Sequence, residues 1–401
     1  MSRTLTVLIG CFVCQMGIGT GYAFSPLLKH IAADFEWSRA AFSVAASPLL
    51  IAMALGAPLA GTLAERFGSR WVLTGSALLL AASLGSVGLV AELWHLMLLM
   101  VGFGLALSGL GDVVTGAVAS RWVSRRRGMA LGLVFIGSNV GGALVPIAAE
   151  SMASHEDWRF AITWIGIGTA TLILPFALFA VRDRTTGEPG KVSNRLVLRD
   201  GIWERPSLNL PAAIRTRSFW ILAFLLTTFY FYYIAVNVHL VALLTDLGIS
   251  DARAAASLGF AVALGIVAKL ASGAVADRFD TRRVLMANFA LVALASGLLM
   301  GAGRPVLLAT FLVAHGFATA AQNVMLPLAV VYAFGVEHMA RIYGTLMVAL
   351  LPGGVLGPIF AGWVFDRLGD YRLALALFLG LNLTALASLG WLRQETAAET
   401  S

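Results

Sequence analysis

Long apolar runs, each about as long as a bilayer's hydrocarbon core is thick, alternate along this chain with short stretches dense in arginine. A helix crossing that core needs roughly 20 mostly apolar residues. Twelve stretches qualify: residues 5–28, 41–63, 71–92, 94–118, 128–150, 159–181, 218–244, 254–276, 284–303, 305–334, 341–365 and 371–392. No strand-like alternation runs through them, and lipid offers backbone N–H and C=O groups no partner. Each run is therefore predicted to be a helix, and the chain an all-α membrane protein.

The longest polar stretch, Arg182 to Arg217, splits the spans six and six. It contains Gly187, Pro189, Gly190, Pro206 and Pro211 among mixed charges, a composition that suits a linker. The predicted organisation is an N-terminal six-helix bundle over residues 1–181, a cytoplasmic linker over 182–217 and a C-terminal six-helix bundle over 218–401. The linker's end, Pro211 to Arg217, is expected to form a short surface helix.

Composition narrows the function classes. The 401 residues are 59% hydrophobic and 12% charged, with a mean hydropathy of +0.85, which no soluble domain sustains. Of the 28 Lys and Arg residues, twenty fall on the even-numbered loops and the two tails, and seven on the opposite side. The positive-inside rule then predicts both termini in the cytoplasm and a multi-pass protein of the cell (inner) membrane. The net charge of +7 is this bias rather than a nucleic-acid footprint, so no nucleic-acid partner is expected. The first apolar run is too long for a signal peptide and is kept as a span. Cys11 and Cys14 read as two small apolar residues one turn apart. Gly102-Phe-Gly104 lies inside a span, and neither H-E-x-x-H nor a Cys/His ligand set occurs, so no cofactor, metal or enzymatic activity is expected.

Lys269 is the one basic residue placed inside a span. A charge there costs about 2.5–3.5 kcal/mol on insertion scales, and such a residue faces a cavity or a partner. Gly265, Ser272 and Gly273 share its helical face and leave room for a ligand. The plainer alternative is that Lys269 pairs with a carboxylate to join two helices. Asp112 is the acid lying well inside a span, with Ser108 and Thr115 on its face. Asp112 precedes Arg121, and Lys269 precedes Arg278, by nine residues each, so the two charges are expected at similar depth. A gate role for Asp112, with Arg66 or Arg341, competes with a proton-coupling one. His239, Tyr232 two turns before it, Asn139, Gln322 and Asn323 are further candidates for substrate binding, with Gln15 and Tyr22 weaker. Trp71, Trp158, Trp220 and Tyr371 near span ends suit interface anchoring.

The two halves repeat. Gly61-Thr-Leu-Ala-Glu-Arg-Phe-Gly-Ser-Arg70 recurs 212 positions later as Gly273-Ala-Val-Ala-Asp-Arg-Phe-Asp-Thr-Arg282. Gly128, Gly137 and Gly141 recur as Gly344, Gly353 and Gly357, offset by 216. Such duplication is typical of transporters. The ten-residue loops resemble the G-x-L-x-D-R-x-G-x-R signature of the major facilitator superfamily, with Glu65 for the usual Asp and Asp280 for the inner Gly of the second copy. Within that superfamily the chain resembles the monocarboxylate porter and oxalate/formate antiporter branch. The segments that carry this are Glu36-Trp-Ser-Arg-Ala-Ala-Phe-Ser43, Arg126-Arg-Gly-Met-Ala-Leu-Gly132, His239-Leu-Val-Ala-Leu-Leu-Thr-Asp-Leu-Gly248 and Asp366-Arg-Leu-Gly-Asp-Tyr371.

The resemblance implies the major facilitator fold and places Lys269, in Ala268-Lys269-Leu-Ala-Ser-Gly273, where that branch has a carboxylate-binding arginine. It implies a secondary active transporter of lactate- or pyruvate-like monocarboxylates that works by alternating access; the two in-span charges themselves suggest proton-coupled symport, in which a proton taken by Asp112 frees Lys269 for the substrate carboxylate. Glu65 with Arg66 and Arg70, and Asp277 with Arg278 and Arg282, at the cytoplasmic span ends, are expected to gate by pairing across helices and with helix termini. The branch's Asp one turn before the span-8 arginine and its span-1 lysine are both lacking here (Gly265 stands at the first), so anion exchange stays open. One cation, with no lysine in span 11, suits one carboxylate. The expected partners are a small organic anion, protons and the lipid bilayer, and the protein is expected to be a monomer. The rivals are a drug or metabolite exporter of the same fold and a non-transporting sensor or membrane enzyme. Glycine-rich faces, Gly56/Ala60 and Gly353/Gly357/Ala361, are expected to pack the halves together.

Overall fold

Twelve helices long and apolar enough to span a bilayer are present in the computed structural model, which describes residues 3–35, 39–184, 197–199, 202–204 and 207–395. They are Arg3–Tyr22, Ser47–Phe67, Ser69–Leu89, Leu93–Trp122, Arg127–His155, Trp158–Ala180, Arg217–Asp246, Ala256–Ala276, Thr281–Leu299, Pro305–Phe334, Met339–Leu368 and Arg372–Trp391, here called spans 1 to 12. The linker residues Gly187, Pro189, Gly190 and Pro206, and Glu36-Trp-Ser38 of the family segment, lie outside the described residues.

Ends are set locally. Asp157, Thr216 and Asp280 accept hydrogen bonds from Phe160 N, Phe219 N and Arg283 N, which caps spans 6, 7 and 9. Gly335 and Gly369, at φ 85° and 72°, end spans 10 and 11 in a conformation that costs other residues strain. The linker's surface helix is shorter than expected, Leu210–Ile214, because Thr216 caps the next helix instead. Val197–Arg199 and Ile202–Glu204 form a small antiparallel pair, an element that the apolar pattern did not predict.

The outward faces are apolar: Leu98, Ile147, Phe179 and Val267 are all more than 60% exposed. Exposure of that kind is stable only against lipid.

The chain divides into two compact units. The first comprises Met1–Ser124, Leu133–Lys191 and Val336–Thr345; the second comprises Arg125–Gly132, Val192–Gly335 and Leu346–Ser401. Phe103, Phe135, Leu73 and Leu80 are fully buried in the first, and Phe229, Phe289, Phe311 and Phe334 in the second. Within each unit the same glycine device clamps two spans. In the first, a Cβ on Gly137 or Gly141 would fall 2.2 or 2.1 Å from the carbonyl oxygen of Phe12 or Met16. In the second, Gly353 and Gly357 stand 2.1 Å from those of Thr227 and Phe231 by the same measure. Gly353 and Gly357 were expected to pack the halves together; they instead seat span 11 on span 7 inside one unit. Backbones can meet so closely only where side chains are missing.

Candidate functional site

Lys269 is 3% exposed. The outer face of its helix is carried by Val262, Ile266 and Val267, which are exposed, so the ammonium stem turns inward. Its backbone is held tightly: a Cβ on Gly132 would lie 2.5 Å from the Lys269 carbonyl oxygen, and the Ser272 hydroxyl donates to that oxygen at 3.2 Å. One turn on, Gly273 meets Gly128 in the same close manner. The small residues expected to leave room for a ligand thus serve in part to bring the start of span 5 against span 8 within the second unit.

Asp112 occupies a helix start in the middle of a span. Span 4 consists of Leu93–Leu110 and Asp112–Trp122, separated at Gly111, whose ψ of −167° is extended. An acid in a first helical turn is favoured by the exposed N–H groups there. Gln15, fully buried on span 1, donates from Nε2 to Asp112 Oδ1 and to Thr115 Oγ1, both at 2.8 Å. Thr115 in turn donates to the Gly111 carbonyl at 2.9 Å. Gln15 Oε1 is buried without a hydrogen-bond partner. The sequence pattern placed Ser108, Asp112 and Thr115 on one continuous face. The break separates Ser108, whose hydroxyl bonds Leu105 O, and Gln15 replaces it as the partner. The sequence signal for this partner is a glutamine in an otherwise apolar helix.

The other candidates do not converge. His239 Nε2 lies 3.1 Å from the Pro358 carbonyl, which can only accept, so Nε2 carries the proton and Nδ1 accepts from the Tyr371 hydroxyl at 3.2 Å. Both ring nitrogens are therefore used in fastening span 7 to span 11 and to the turn beyond it, and Tyr371 is more than an interface anchor. Tyr232 points elsewhere, its hydroxyl 2.6 Å from Nδ1 of His315, a buried residue that the sequence pattern did not single out. Gln322 is buried, accepting from Asn288 at 3.0 Å while its Nε2 has no partner. Asn323 is half-buried and makes no hydrogen bond among the described residues. Asn139 in the first unit is half-buried. An apolar groove of about 500 Å³ lies along Ala293, Leu294 and Gly297 of span 9 and Leu379 and Leu383 of span 12. With almost no polar lining it suits hydrocarbon and is not the anion site.

The repeated loops place their acids alike. Asp277 accepts from the N–H groups of Gly128 at 2.7 Å and Met129 at 2.9 Å, at the start of span 5. Glu65 accepts from Arg341 N at 3.1 Å and lies 3.3 Å from His338 Nδ1, at the start of span 11. Each carboxylate thus caps a helix N-terminus. Arg282 donates to the carbonyls of Leu389, at 3.0 Å, and Gly390 at the end of span 12. Arg66 and Arg70 lie over Phe67 and Trp71, each 5.1 Å from the ring centre, and Arg278 is exposed.

Burial pushes the Asp277 carboxyl up from its ordinary value of 3.8, against the downward pull of the Met129 and Gly128 N–H donors and of Arg126 and Arg127. A native acid with a raised pKa holds its proton over a range where the unfolded chain has lost it, so stability falls as pH rises through that range. Thermal melting followed as the pH rises from about 4 is expected to show that slope in the wild type and a flatter one in Asp277→Asn. Equal slopes would remove Asp277 from the pH response.

The Major Facilitator Superfamily profile matches residues 7–278 and 221–401. The chain belongs to the Major Facilitator Superfamily, and it is therefore an integral membrane transporter rather than an enzyme. It is 28% identical over 381 residues to Monocarboxylate transporter 13 of Bos taurus, covering 92% of this chain and 84% of that protein. Over 280 residues it is 30% identical to the Probable nitrate/nitrite transporter NarK2 of Mycobacterium tuberculosis, covering 67% of this chain and 65% of that protein. Among solved structures, the human organic anion transporter MFSD10 (TETRAN) superposes with a TM-score of 0.75 at 16% identity, covering 97% of this chain and all of that one. That likeness establishes the fold.

Proposed function

We propose that the chain is a secondary active transporter of small organic monocarboxylates of the lactate or pyruvate kind, coupled to protons, in which Lys269 binds the carboxylate. The observation that carries this is a buried ammonium in a span, in a chain similar to Monocarboxylate transporter 13. A buried charge is tolerable when opposite charge compensates it. Asp112 would supply one negative charge; it precedes Arg121 by nine residues, as Lys269 precedes Arg278. Its protonation leaves Lys269 in excess by one unit, and one carboxylate restores neutrality. Gln15 donates to the Asp112 carboxyl oxygen and would be a positioning residue for that step.

The surrounding roles belong to the same proposal. The six-helix bundles over 1–181 and 218–401, joined by the linker over 182–217, alternate access to the site. Glu65, Arg66, Arg70, Asp277, Arg278 and Arg282 gate it through helix termini. Both termini lie in the cytoplasm of a monomer in the inner membrane. His239, Tyr232, Asn139, Gln322 and Asn323 stay candidates for contact with substrate, although the bonds already made by His239 and Tyr232 favour structural duty for those two.

The test is uptake of labelled lactate, pyruvate, formate and nitrate into proteoliposomes with an imposed pH gradient. Asp112→Asn is expected to lose the acceleration by the gradient while counterflow of unlabelled for labelled substrate persists. Unchanged gradient dependence would take Asp112 out of the coupling role. The similarity to NarK2 favours one second reading, a small inorganic oxyanion at Lys269, which preferential nitrate uptake in the same panel would establish.

A further inference from the structure

Span 11 begins inside the first unit, and one carboxylate from span 2 fastens its start. Gly335, at φ 85°, ends span 10, and the turn into span 11 runs from Val336 to His338. His338 is the last residue before the helix, and its carbonyl accepts from Ile342 N at 3.1 Å. The Glu65 carboxylate bridges two groups there: Oε1 accepts from Arg341 N at 3.1 Å, and Oε2 lies 3.3 Å from His338 Nδ1. An ionised carboxylate can only accept, so Nδ1 carries the proton of that bond. The backbones press together on either side. A Cβ on Gly61 would fall 2.2 Å from the Ala340 carbonyl oxygen, and one on Gly344 would fall 2.4 Å from that of Ala57. The second unit repeats this clamp between span 8 and the start of span 5, with Asp277 in the place of Glu65. The cations differ. Asp277 faces Arg126 and Arg127, which stay charged, whereas the cation within ion-pair distance of Glu65 among the described residues is His338.

We propose that His338 is a proton-binding site that sets how firmly this latch closes, so that acid in the adjoining aqueous phase holds the start of span 11 against span 2. The imidazole is 23% exposed and the Glu65 side chain 16%, so water reaches the ring while the pair stays partly shielded. Histidine is the side chain that ordinarily titrates near neutral pH. The charged groups on the elements packed around it are few. Span 2 contributes Glu65 and Arg66, the latter exposed and lying over Phe67. The end of span 4 contributes Arg121, which donates to the Glu337 carbonyl at 2.5 Å and has Asp183 4.0 Å away. Its own segment contributes Glu337 and Arg341. Charge-assisted bonds are about twice as strong as neutral ones, so protonation of His338 favours the closed latch roughly fivefold. The helix start, about half a positive charge, opposes the imidazolium, but the carboxylate that bonds both carries a full negative one. Turnover that needs span 11 to leave span 2 therefore slows as the pH on that side falls. The slowing rests on the gating role proposed for Glu65; the proton site at His338 does not.

Amide hydrogen exchange of residues 336–345 in nanodiscs, corrected for the intrinsic rise of exchange with pH, tests the site without any substrate. Protection in the wild type is expected to fall roughly fivefold between about pH 5.5 and 7.5. His338→Gln is expected to show no such fall, and His338→Arg, with its permanent charge, to stay protected at both pH values. Wild-type protection that ignores pH, or an equal fall in His338→Gln, overturns the proposal. Counterflow of labelled L-lactate at equal pH on both faces tests the gate, in Asp112→Asn protein so that Asp112 is silent. It is expected to quicken up to about fivefold over the same range, and to stay flat once His338→Gln is added. If protection follows pH as expected and counterflow does not, the gating role of Glu65 fails and the proton site stands. Absence of lactate counterflow at every pH would count against the substrate reading, while the exchange measurement still decides the latch.

Discussion

Lys269→Gln is expected to abolish measurable carboxylate uptake while the protein still inserts and folds. A buried charge-assisted hydrogen bond is worth about 1.5–3 kcal/mol, and stranding a charge costs about 3–5 kcal/mol. The loss of affinity should therefore lie between roughly tenfold and a thousandfold or more. Glutamine keeps much of the length and polarity of the stem, so gross repacking is avoided. Lys269→Arg is expected to retain binding at reduced turnover, because the planar guanidinium needs more room than the ammonium where the Lys269 backbone is pressed against Gly132. Equilibrium binding and counterflow, measured together, separate the two outcomes. Uptake by Lys269→Gln at the wild-type rate would reject the ammonium as the anion site.

The second large effect concerns the glycine clamps. Gly357→Val places branched carbon where a Cβ alone would fall 2.1 Å from the Phe231 carbonyl oxygen, a backbone atom that cannot swing aside. Overpacking typically costs about 1–3 kcal/mol, so a thermal midpoint lower by several degrees or a failure to accumulate in the membrane is expected. Gly380→Ala is the control. No atom lies within 4 Å of its would-be Cβ, and alanine favours a helix over glycine by about 1 kcal/mol. Gly141→Val, against Met16, should behave as Gly357→Val does, since the two clamps are repeat-related. A stable, active Gly357→Val protein would mean that span 11 can shift on span 7 without penalty.

What could be read before folding was considerable but one-dimensional. Span 10 matches its predicted bounds, Pro305–Phe334, because a long apolar run between Arg304 and Gly335 leaves the helix no other length. Lys269 stood out for the same reason, as an isolated charge in an apolar stretch. Asp112 was also visible, but not its setting. The break at Gly111 has no proline to announce it, and the sequence does not reveal that Gln15, 97 positions away, donates to Asp112. His239 and Tyr232 looked like neighbours by helical spacing. Their partners, Pro358 with Tyr371 and His315, come from other spans and draw the two side chains apart in purpose.

The sequence by itself determined the number of the spans and roughly where each lies, the duplication and the presence of stranded charges. Lipid enforces length and polarity on each segment locally, and a local rule is legible in a string. Only the tertiary structure decided which way each polar residue faces and whom it meets. A helix can rotate about its axis or break at one residue without changing its composition, and packing against distant helices selects among those choices. Lys269 turned inward, Gln15 joined to Asp112 and His315 joined to Tyr232 are outcomes of that packing.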